Sequence, residues 1–332
     1  MRHCNIPIFI PHLGCPNQCV FCNQRSISGC HGFCEENVKK QIEEALSTLT
    51  GEDEVEIAFF GGSFTGIERN LMLRLLETAE AFVRGGQVES IRLSTRPDYI
   101  DGEILELLSR YTVREIELGL QSMDDEVLLA SRRGHTARDA RRACHAVKAA
   151  GFGLVGQMMI GLPRSTRESE IMTARAIIEA GADAVRIYPT VVFYDTPLCD
   201  MTKSGAYVPL TIEEAVVRSA DVLEIFESAK IPCRRLGLCS TEELTSPQTV
   251  CAGPNHPALG EMVLGELFYR RIYAFLKERG LFGTEVLIEV PMREVSRAVG
   301  YKRANIDRFY RETNTRVRVR GAAVERMTAI GI

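Results

Sequence analysis

The sequence predicts an α/β fold, a partial (β/α)6 TIM-like barrel with a C-terminal α+β extension. Two observations carry that prediction. Short β-rich apolar runs alternate with amphipathic stretches of helical period as far as about residue 200, and such alternation implies parallel strands with helical crossovers. The chain, at 332 residues, is long for one ordinary domain but suits an α/β barrel with an appendage. Periodicity alone leaves a six-strand doubly wound sheet open.

The elements follow in order. Strands are expected at 6–10, 55–60, 90–94, 115–118, 153–160 and 184–188, from their apolar and β-branched content. Amphipathic helices are expected between them at 35–49, 68–83, 102–109, 136–150 and 166–180. Beyond Pro197 the pattern loosens. Residues 210–228 read as a helix with Thr211 as N-cap and Glu213 and Glu214 in its first turn. An extra strand is expected at 231–238, a Pro/Gly/Ser/Asn-rich loop at 246–257, and a helix at 257–279 stopped by Gly280. The tail reads as strand 286–290, helix 293–299, basic turn 300–303, helix 304–313 and the strictly alternating strand 316–320.

Composition narrows the classes. The apolar share of 45% is that of a globular protein. No run of about 18 apolar residues is present, so no transmembrane helix and no membrane partner are expected. The start Met1-Arg-His-Cys-Asn5 has no signal-peptide pattern, and eleven cysteines without one argue for a reducing cytoplasm. The net charge of −4 is uneven. Residues 291–332 hold ten Lys/Arg and four Asp/Glu, or +6, which leaves −10 for the rest. Such a basic tail suits an anionic partner such as RNA, and equally a solvated charged face.

Chemistry concentrates at Cys15-Pro-Asn-Gln-Cys19-Val-Phe-Cys22, directly after the first strand. Three thiolates in eight residues can grip one metal centre. In a four-iron cluster they would leave one iron without a protein ligand, free to bind and activate a small molecule. The same cysteines also suit a structural zinc site with His12, Cys30, His31 or Cys34 as fourth ligand. Cys30-His-Gly-Phe-Cys34 further suggests a second metal site. Cys4, Cys144, Cys199, Cys233, Cys239 and Cys251 are isolated in sequence and read as packed thiols. Gly61-Gly62, before Ser63, ends the second strand where a backbone can approach a ligand closely.

The C-x3-C-x2-C spacing, with Phe21 before the last cysteine, resembles the radical S-adenosylmethionine (SAM) superfamily. Phe60-Gly-Gly-Ser-Phe-Thr65, Ser94-Thr-Arg-Pro-Asp98, Glu117-Leu-Gly-Leu-Gln-Ser122, Arg133-Gly-His-Thr136 and Arg186-Ile-Tyr-Pro-Thr190 resemble, in the same order, the radical SAM domain of the Elongator catalytic subunit family. The core is also similar to that of oxygen-independent coproporphyrinogen III oxidase. The resemblance covers about residues 5–215. It implies a [4Fe–4S] cluster on Cys15, Cys19 and Cys22, S-adenosyl-L-methionine on its open iron, and a reductant such as a flavodoxin or ferredoxin. It also implies SAM contacts: the backbone of Gly61, Gly62 and Ser63 near the amino group, Gln121 on the ribose with Ser94 and Gln157 nearby, Arg133 on the carboxylate and Phe21 near the adenine. An open cluster is oxygen-sensitive, which implies anaerobic or low-oxygen chemistry.

Substrate candidates are weaker. Tyr188 sits at a strand end, where it either faces substrate or packs its ring, and Tyr194 and Asp195 follow. His256 either contacts an anion at a helix N-terminus or merely caps that helix. The tail's helix, Gly-led basic turn, helix and strand resemble a KH RNA-binding unit, with Lys302 and Arg303 in the turn that clamps phosphates. Arg303 departs from the glycine of that pattern. The resulting domain plan is a barrel over 1–210, a helical extension over 211–280 and a small basic KH-like unit over 281–332. The first functional reading is a radical SAM enzyme acting on an unknown substrate, with RNA or tRNA favoured by the tail. A coproporphyrinogen oxidase-like enzyme and a non-catalytic zinc-stabilised RNA-binding protein are the alternatives. No counterpart of the Elongator subunit's acetyltransferase domain is visible.

Overall fold

The computed structural model describes residues 3–10, 13–15, 19–23, 32–49, 53–238, 248–324 and 327–331. Its main sheet has seven parallel strands. These are β1 (His3–Ile10), β2 (Glu54–Gly61), β3 (Ser90–Thr95), β4 (Val113–Gln121), β5 (Gly153–Ile160), β6 (Ala184–Pro189) and β8 (Cys233–Leu236), in that spatial order. The order never reverses. A doubly wound sheet needs a reversal at its switch point, so that alternative falls. Successive right-handed crossovers in one direction instead curl the sheet into a half-barrel. The expected six strands gain a seventh, because 233–236 pairs with β6 in register Val185↔Cys233.

The crossovers are α1 (Glu36–Ser47), α2 (Arg69–Arg84), α3 (Gly102–Leu108), the short α4 (Asp125–Ala130), α5 (Ala137–Ala149) and α6 (Arg167–Glu179). Their starts are chemically marked. Thr136 and Asp139 form a capping box, as do Thr166 and Ser169. The strand alternation then divides the residues. Ile57, Phe59, Ile91, Leu93, Ile116, Leu118, Leu154 and Met158 point outward, fully buried under the helices. Each such side chain stabilises the fold by roughly 1.5–3 kcal/mol. The alternate residues face the barrel interior, and many of them are charged.

After β6 come β7 (Val192–Phe193), α7 (Pro197–Lys203) and α8 (Ile212–Ser228). Thr211 caps α8, with Glu214 completing a capping box. The loop expected at 246–257 contains a strand, β9 (Val250–Ala252), which pairs antiparallel with β7. A three-residue strand made by a partner some sixty residues away leaves no local periodicity to read. Residues 239–247, with Cys239, lie outside the described residues.

α9 (Leu259–Glu278) joins two cores. Leu259, Val263 and Leu267 belong to the barrel core, whereas Phe268, Tyr269, Ile272 and Leu276 belong to the C-terminal one. That second core is closed by β10 (Glu285–Pro291), α10 (Val295–Val299), α11 (Ala304–Thr313), β11 (Arg316–Ala322) and β12 (Thr328–Gly331), with sheet order β11-β10-β12. β10 runs parallel to β11 and antiparallel to β12, a strand not expected from the sequence.

Candidate active site

The cysteine loop leaves β1 at Ile10 and is stitched to the end of β2. The Gly62 N–H donates to the Ile10 carbonyl at 2.8 Å, and the Ser63 N–H to that of Leu13 at 3.0 Å. A Cβ on Gly62 would lie 1.9 Å from the Leu13 oxygen. Gly14, at φ +72°, would place one 2.2 Å from the Ser63 oxygen. The glycine pair Gly61-Gly62 therefore serves a close approach of the protein's own backbone. The Ser63 hydroxyl is fully buried, 2.8 Å from Thr95 Oγ1, and accepts from the Arg96 N–H at 3.3 Å.

The far side of the loop rests on later elements. The Val20 N–H donates to the Ser131 carbonyl at 3.2 Å, and the Leu198 N–H of α7 to the Val20 carbonyl at 2.9 Å. Val20 and Phe21 pack with Val192, Leu198, Cys199 and Tyr207. Cys19 is buried, and Cys15 and Cys22 are half-buried.

Two guanidinium groups face the Cys15 and Cys19 thiols. Arg133 is 6% exposed; its Nη1 donates to Cys19 Sγ at 3.2 Å and its Nη2 to the Gly119 carbonyl at 2.6 Å. Arg96 forks onto Asp98 at 2.9 and 2.8 Å and also donates to the Arg133 carbonyl. Burial pushes the Cys15 thiol above its ordinary value, while Arg96 and Arg133 pull it back. His135 closes this shell, buried, with Nδ1 3.9 Å from Asp98 Oδ1. Burial first, then Arg133, pushes its pKa down to about 4, so the ring is neutral at pH 7.

Gln121 ends β4 with φ +67°, a left-handed conformation rare for a non-glycine residue. The β4–β5 register slips between Gly119 and Gln121. The Gln121 Nε2 donates to Gln157 Oε1 at 3.3 Å, while its buried Oε1 has no hydrogen-bond partner. Such an orphan beside a strained backbone marks a place shaped for something else. Gln157 in turn donates to Glu117. Ser94 lies half-buried on the inner face, in register with Glu117.

Below this rim the interior is a charged column that sequence reasoning missed. Arg92, 1% exposed, pairs with Glu115 and lies 3.6 Å from Glu117 and 3.9 Å from Glu56. Arg186 Nε lies 3.0 Å from the fully buried Glu117 carboxylate. Burial pushes that carboxyl up, and Arg186 and Arg92 hold it down. Both guanidinium groups also lie over the Phe60 ring, at 5.2 Å for Arg186 and 5.9 Å for Arg92. Tyr188, on the inner face, places its hydroxyl 3.4 Å from Arg186 Nη1. The missed signal was Glu56, Arg92, Glu115, Glu117 and Arg186 at alternate positions inside otherwise apolar strands.

The remaining candidates lie apart. The Asp195 backbone is left-handed at φ +59°, and Lys203 lies 5.5 Å over the Tyr194 ring. Cys30, His31 and His12 fall outside the described residues, and exposed Cys34 donates to Glu36 at 2.8 Å. His256 Nδ1 accepts from the Ala258 N–H at 3.0 Å, ahead of α9, and its ring meets Tyr301 at 5.3 Å. It thus sits beside the turn carrying Lys302 (φ +50°) and Arg303 (φ +67°), both exposed. Cys199 and Cys251 are not isolated as expected: their sulfurs lie 2.9 Å apart.

The donor set fits an iron–sulfur cluster with a bound anion. Cys15 and Cys19 face cations, which favour thiolate ligands, and Gln121 Oε1 and Arg133 Nε are buried without partners. Among the described residues no three His, Cys, Asp or Glu side chains converge as one metal ion would need, whereas a four-iron cluster spreads its thiolates over separate irons.

A family model described as the radical SAM superfamily matches residues 9–177, and one described as a radical SAM C-terminal domain matches 182–268. An uncharacterized protein of Methanocaldococcus jannaschii is 27% identical over 290 residues, 83% of this chain and 84% of that one. A tRNA uridine(34) acetyltransferase of the same organism is 30% identical over 193 residues, 57% of this chain but only 33% of that protein. Among solved structures, the archaeal Methanocaldococcus infernus Elp3 with an N-terminal deletion shares the fold at a TM-score of 0.61 and 20% identity. That match covers 85% of this chain and 66% of the other.

Proposed function

The chain belongs to the radical SAM superfamily, and we propose on that premise that Cys15, Cys19 and Cys22 hold its [4Fe–4S] cluster and that SAM binds at the rim formed by β2 to β5. When bound, the reduced cluster supplies an electron that splits SAM and gives a 5′-deoxyadenosyl radical. This chain's own residues bind and orient. Arg133 holds Cys19 and the Gly119 carbonyl, and its buried Nε–H, without a partner, is left to meet the SAM carboxylate. Gln121 offers its free carbonyl oxygen to a ribose hydroxyl, backed by Gln157 and flanked by Ser94. Gly61, Gly62 and Ser63 shape the wall opposite, and Phe21 shields one side. Tyr188 and Arg186 face the substrate from below.

The observation that carries this reading is the Arg133–Cys19 contact together with the unpartnered Gln121 carbonyl oxygen. The test is anaerobic reconstitution. Wild-type protein should hold iron and sulfide and make 5′-deoxyadenosine from SAM and a reductant, with a flavodoxin or ferredoxin as the natural donor. Cys19→Ala should retain neither iron nor activity above background. A Cys19→Ala protein that keeps a full complement of iron and sulfide sinks the assignment.

We further infer an RNA substrate, tRNA first. The support is the exposed Lys302–Arg303 turn next to His256, and the uridine-34 name carried by a relative. Acetyl transfer is not carried over, since the match spans a third of that relative. In this reading residues 1–210 do the chemistry, 211–280 connect, and 281–332 hold the RNA. The prediction is tRNA binding that weakens steeply with salt; binding unchanged between 50 and 200 mM salt would rule out a phosphate-held complex.

A further inference from the structure

We propose that Cys199 and Cys251 are a dithiol–disulfide couple, a reversible modification site beneath the cysteine loop. The two sulfurs are 52 residues apart in sequence and 2.9 Å apart in space. Independent backbone restraints hold them there. β9 carries Cys251 between Val250 and Ala252, which pair with Phe193 and Val192 of β7. Thr196 links the other side: its hydroxyl donates to the Phe193 carbonyl at 2.7 Å and accepts from the Cys199 N–H at 3.3 Å. One small sheet and one cap thus fix both cysteines.

The two thiols are unlike, which assigns their order of reaction. Cys199 is 1% exposed, and Cys251 is half-buried. Lys203, one turn along α7, reaches the Cys199 sulfur with its ammonium group. The co-reactant is a low-molecular-weight disulfide. The Cys251 thiolate, the accessible one, attacks one of its sulfurs and releases one small thiol, leaving a mixed disulfide on the protein. The Cys199 thiolate then displaces the second small thiol and forms the Cys199–Cys251 bond. Two protein thiols are oxidised, one small disulfide is reduced to two thiols, and the two protons pass to those thiols.

The position gives the bond a consequence. Leu198, the neighbour of Cys199, holds the carbonyl of Val20, which lies between Cys19 and Cys22. Val20, Phe21, Leu198, Cys199 and Cys251 share one apolar cluster. A bond to β9 would anchor the platform on which that loop rests. Nothing in this step uses an iron–sulfur cluster or SAM, so it stands or falls apart from the proposed function.

The test exposes the full-length chain to a series of oxidised-to-reduced glutathione ratios. Free thiols are then blocked with a maleimide, and the unreduced digest is mapped by mass. The expected product is a Cys199–Cys251 linkage, formed at a ratio about tenfold below that needed for a glutathione adduct on the exposed Cys34. Adding dithiothreitol should reverse it. Cys251→Ala should abolish it and leave Cys199 unmodified; this variant carries the test, because Cys199→Ala hollows a buried site. A lasting glutathione adduct on Cys251 with Cys199 still free would overturn the proposal. So would a Cys239–Cys251 linkage, or two unreacted thiols when Cys34 is fully modified.

Discussion

The barrel interior and the C-terminal unit both carry many arginines, and the two use them in opposite ways. Inside the barrel, Arg92, Arg96, Arg133 and Arg186 are buried or nearly so, and each is bound to a carboxylate, a carbonyl or a thiol. On the C-terminal unit, Arg318 pairs with Glu285 at 2.6 Å and Arg320 pairs with Glu289, but at 68% and 58% exposure. Exposed pairs of this kind contribute about 0–1 kcal/mol. The buried set has no water to fall back on, so removing one member strands its partner. The same residue type thus fixes geometry in one region and supplies adjustable surface charge in the other.

The sharpest way to break that contrast is Arg186→Ala. It would leave the fully buried Glu117 carboxylate with Arg92 3.6 Å away as its nearest remaining cation. The expected loss is about 3–5 kcal/mol of unfolding free energy in urea titration. Arg318→Ala, the matched change on the C-terminal sheet, should cost no more than about 0.5 kcal/mol. Equal losses in the two variants would remove the distinction.

A second expectation concerns pH. His135 is held neutral by burial, with a folded pKa near 4 against an ordinary value of 6.5. A histidine whose folded pKa is lowered binds fewer protons folded than unfolded in that window. Its contribution is therefore complete above about pH 6.5 and is lost as the pH falls towards 4, to a total of about 3 kcal/mol. His135→Gln should flatten this part of the wild-type profile, read by urea unfolding at stepped pH. Retention of the full wild-type slope in the variant would assign the effect to other groups, such as the barrel carboxylates.

How much of this was readable from sequence differs between the regions for physical reasons. The parallel strands, their crossovers and the helix caps Thr136, Thr166 and Thr211 carry local signals: an apolar period, a hydroxyl, and three residues on a carboxylate (Asp139, Glu214) or a second hydroxyl (Ser169). The cysteine loop stands out in the sequence because three thiols fall within eight residues. The charged column was not, since Glu56, Arg92, Glu117 and Arg186 come from four strands and only register brings them together. β9 and the Cys199–Cys251 contact were hidden for the same reason. The glycines at 61 and 62 stand out in the sequence as a place of close approach, and the group approaching Gly62 is the Leu13 carbonyl of the same chain.

The close approach at Gly62 sets a cost of moderate size. Gly62→Ala drives a Cβ to 1.9 Å from a backbone oxygen that cannot rotate away, so β2 and the loop stem must part. The expected cost is about 2 kcal/mol. If the barrel site is organised by this stitch, the variant should also lose reconstituted iron faster to a chelator. Gly86→Ala is the control for adding a methyl where nothing lies within 4 Å of the new atom; its φ of +70° brings backbone strain alone. A Gly62→Ala protein no less stable than Gly86→Ala would mean that the close approach is not structurally required.

The smallest stability effect belongs to Lys302→Glu/Arg303→Glu. Both side chains are exposed, and neither belongs to the buried core around Phe309. The double variant should unfold within about 0.5 kcal/mol of wild type. Binding should tell the two regions apart where stability does not. With two cations reversed, tRNA affinity is expected to fall about tenfold, and the plot of log affinity against log salt should become shallower by about one to two units. The Asn305 amide, which holds the carbonyls of Gly265, Arg297 and Ala298, keeps the turn's frame whatever the charge upon it. A fall in affinity without a change of slope would therefore mean a loss of shape and not of phosphate contact. An unchanged affinity would return the basic face to ordinary solvated surface.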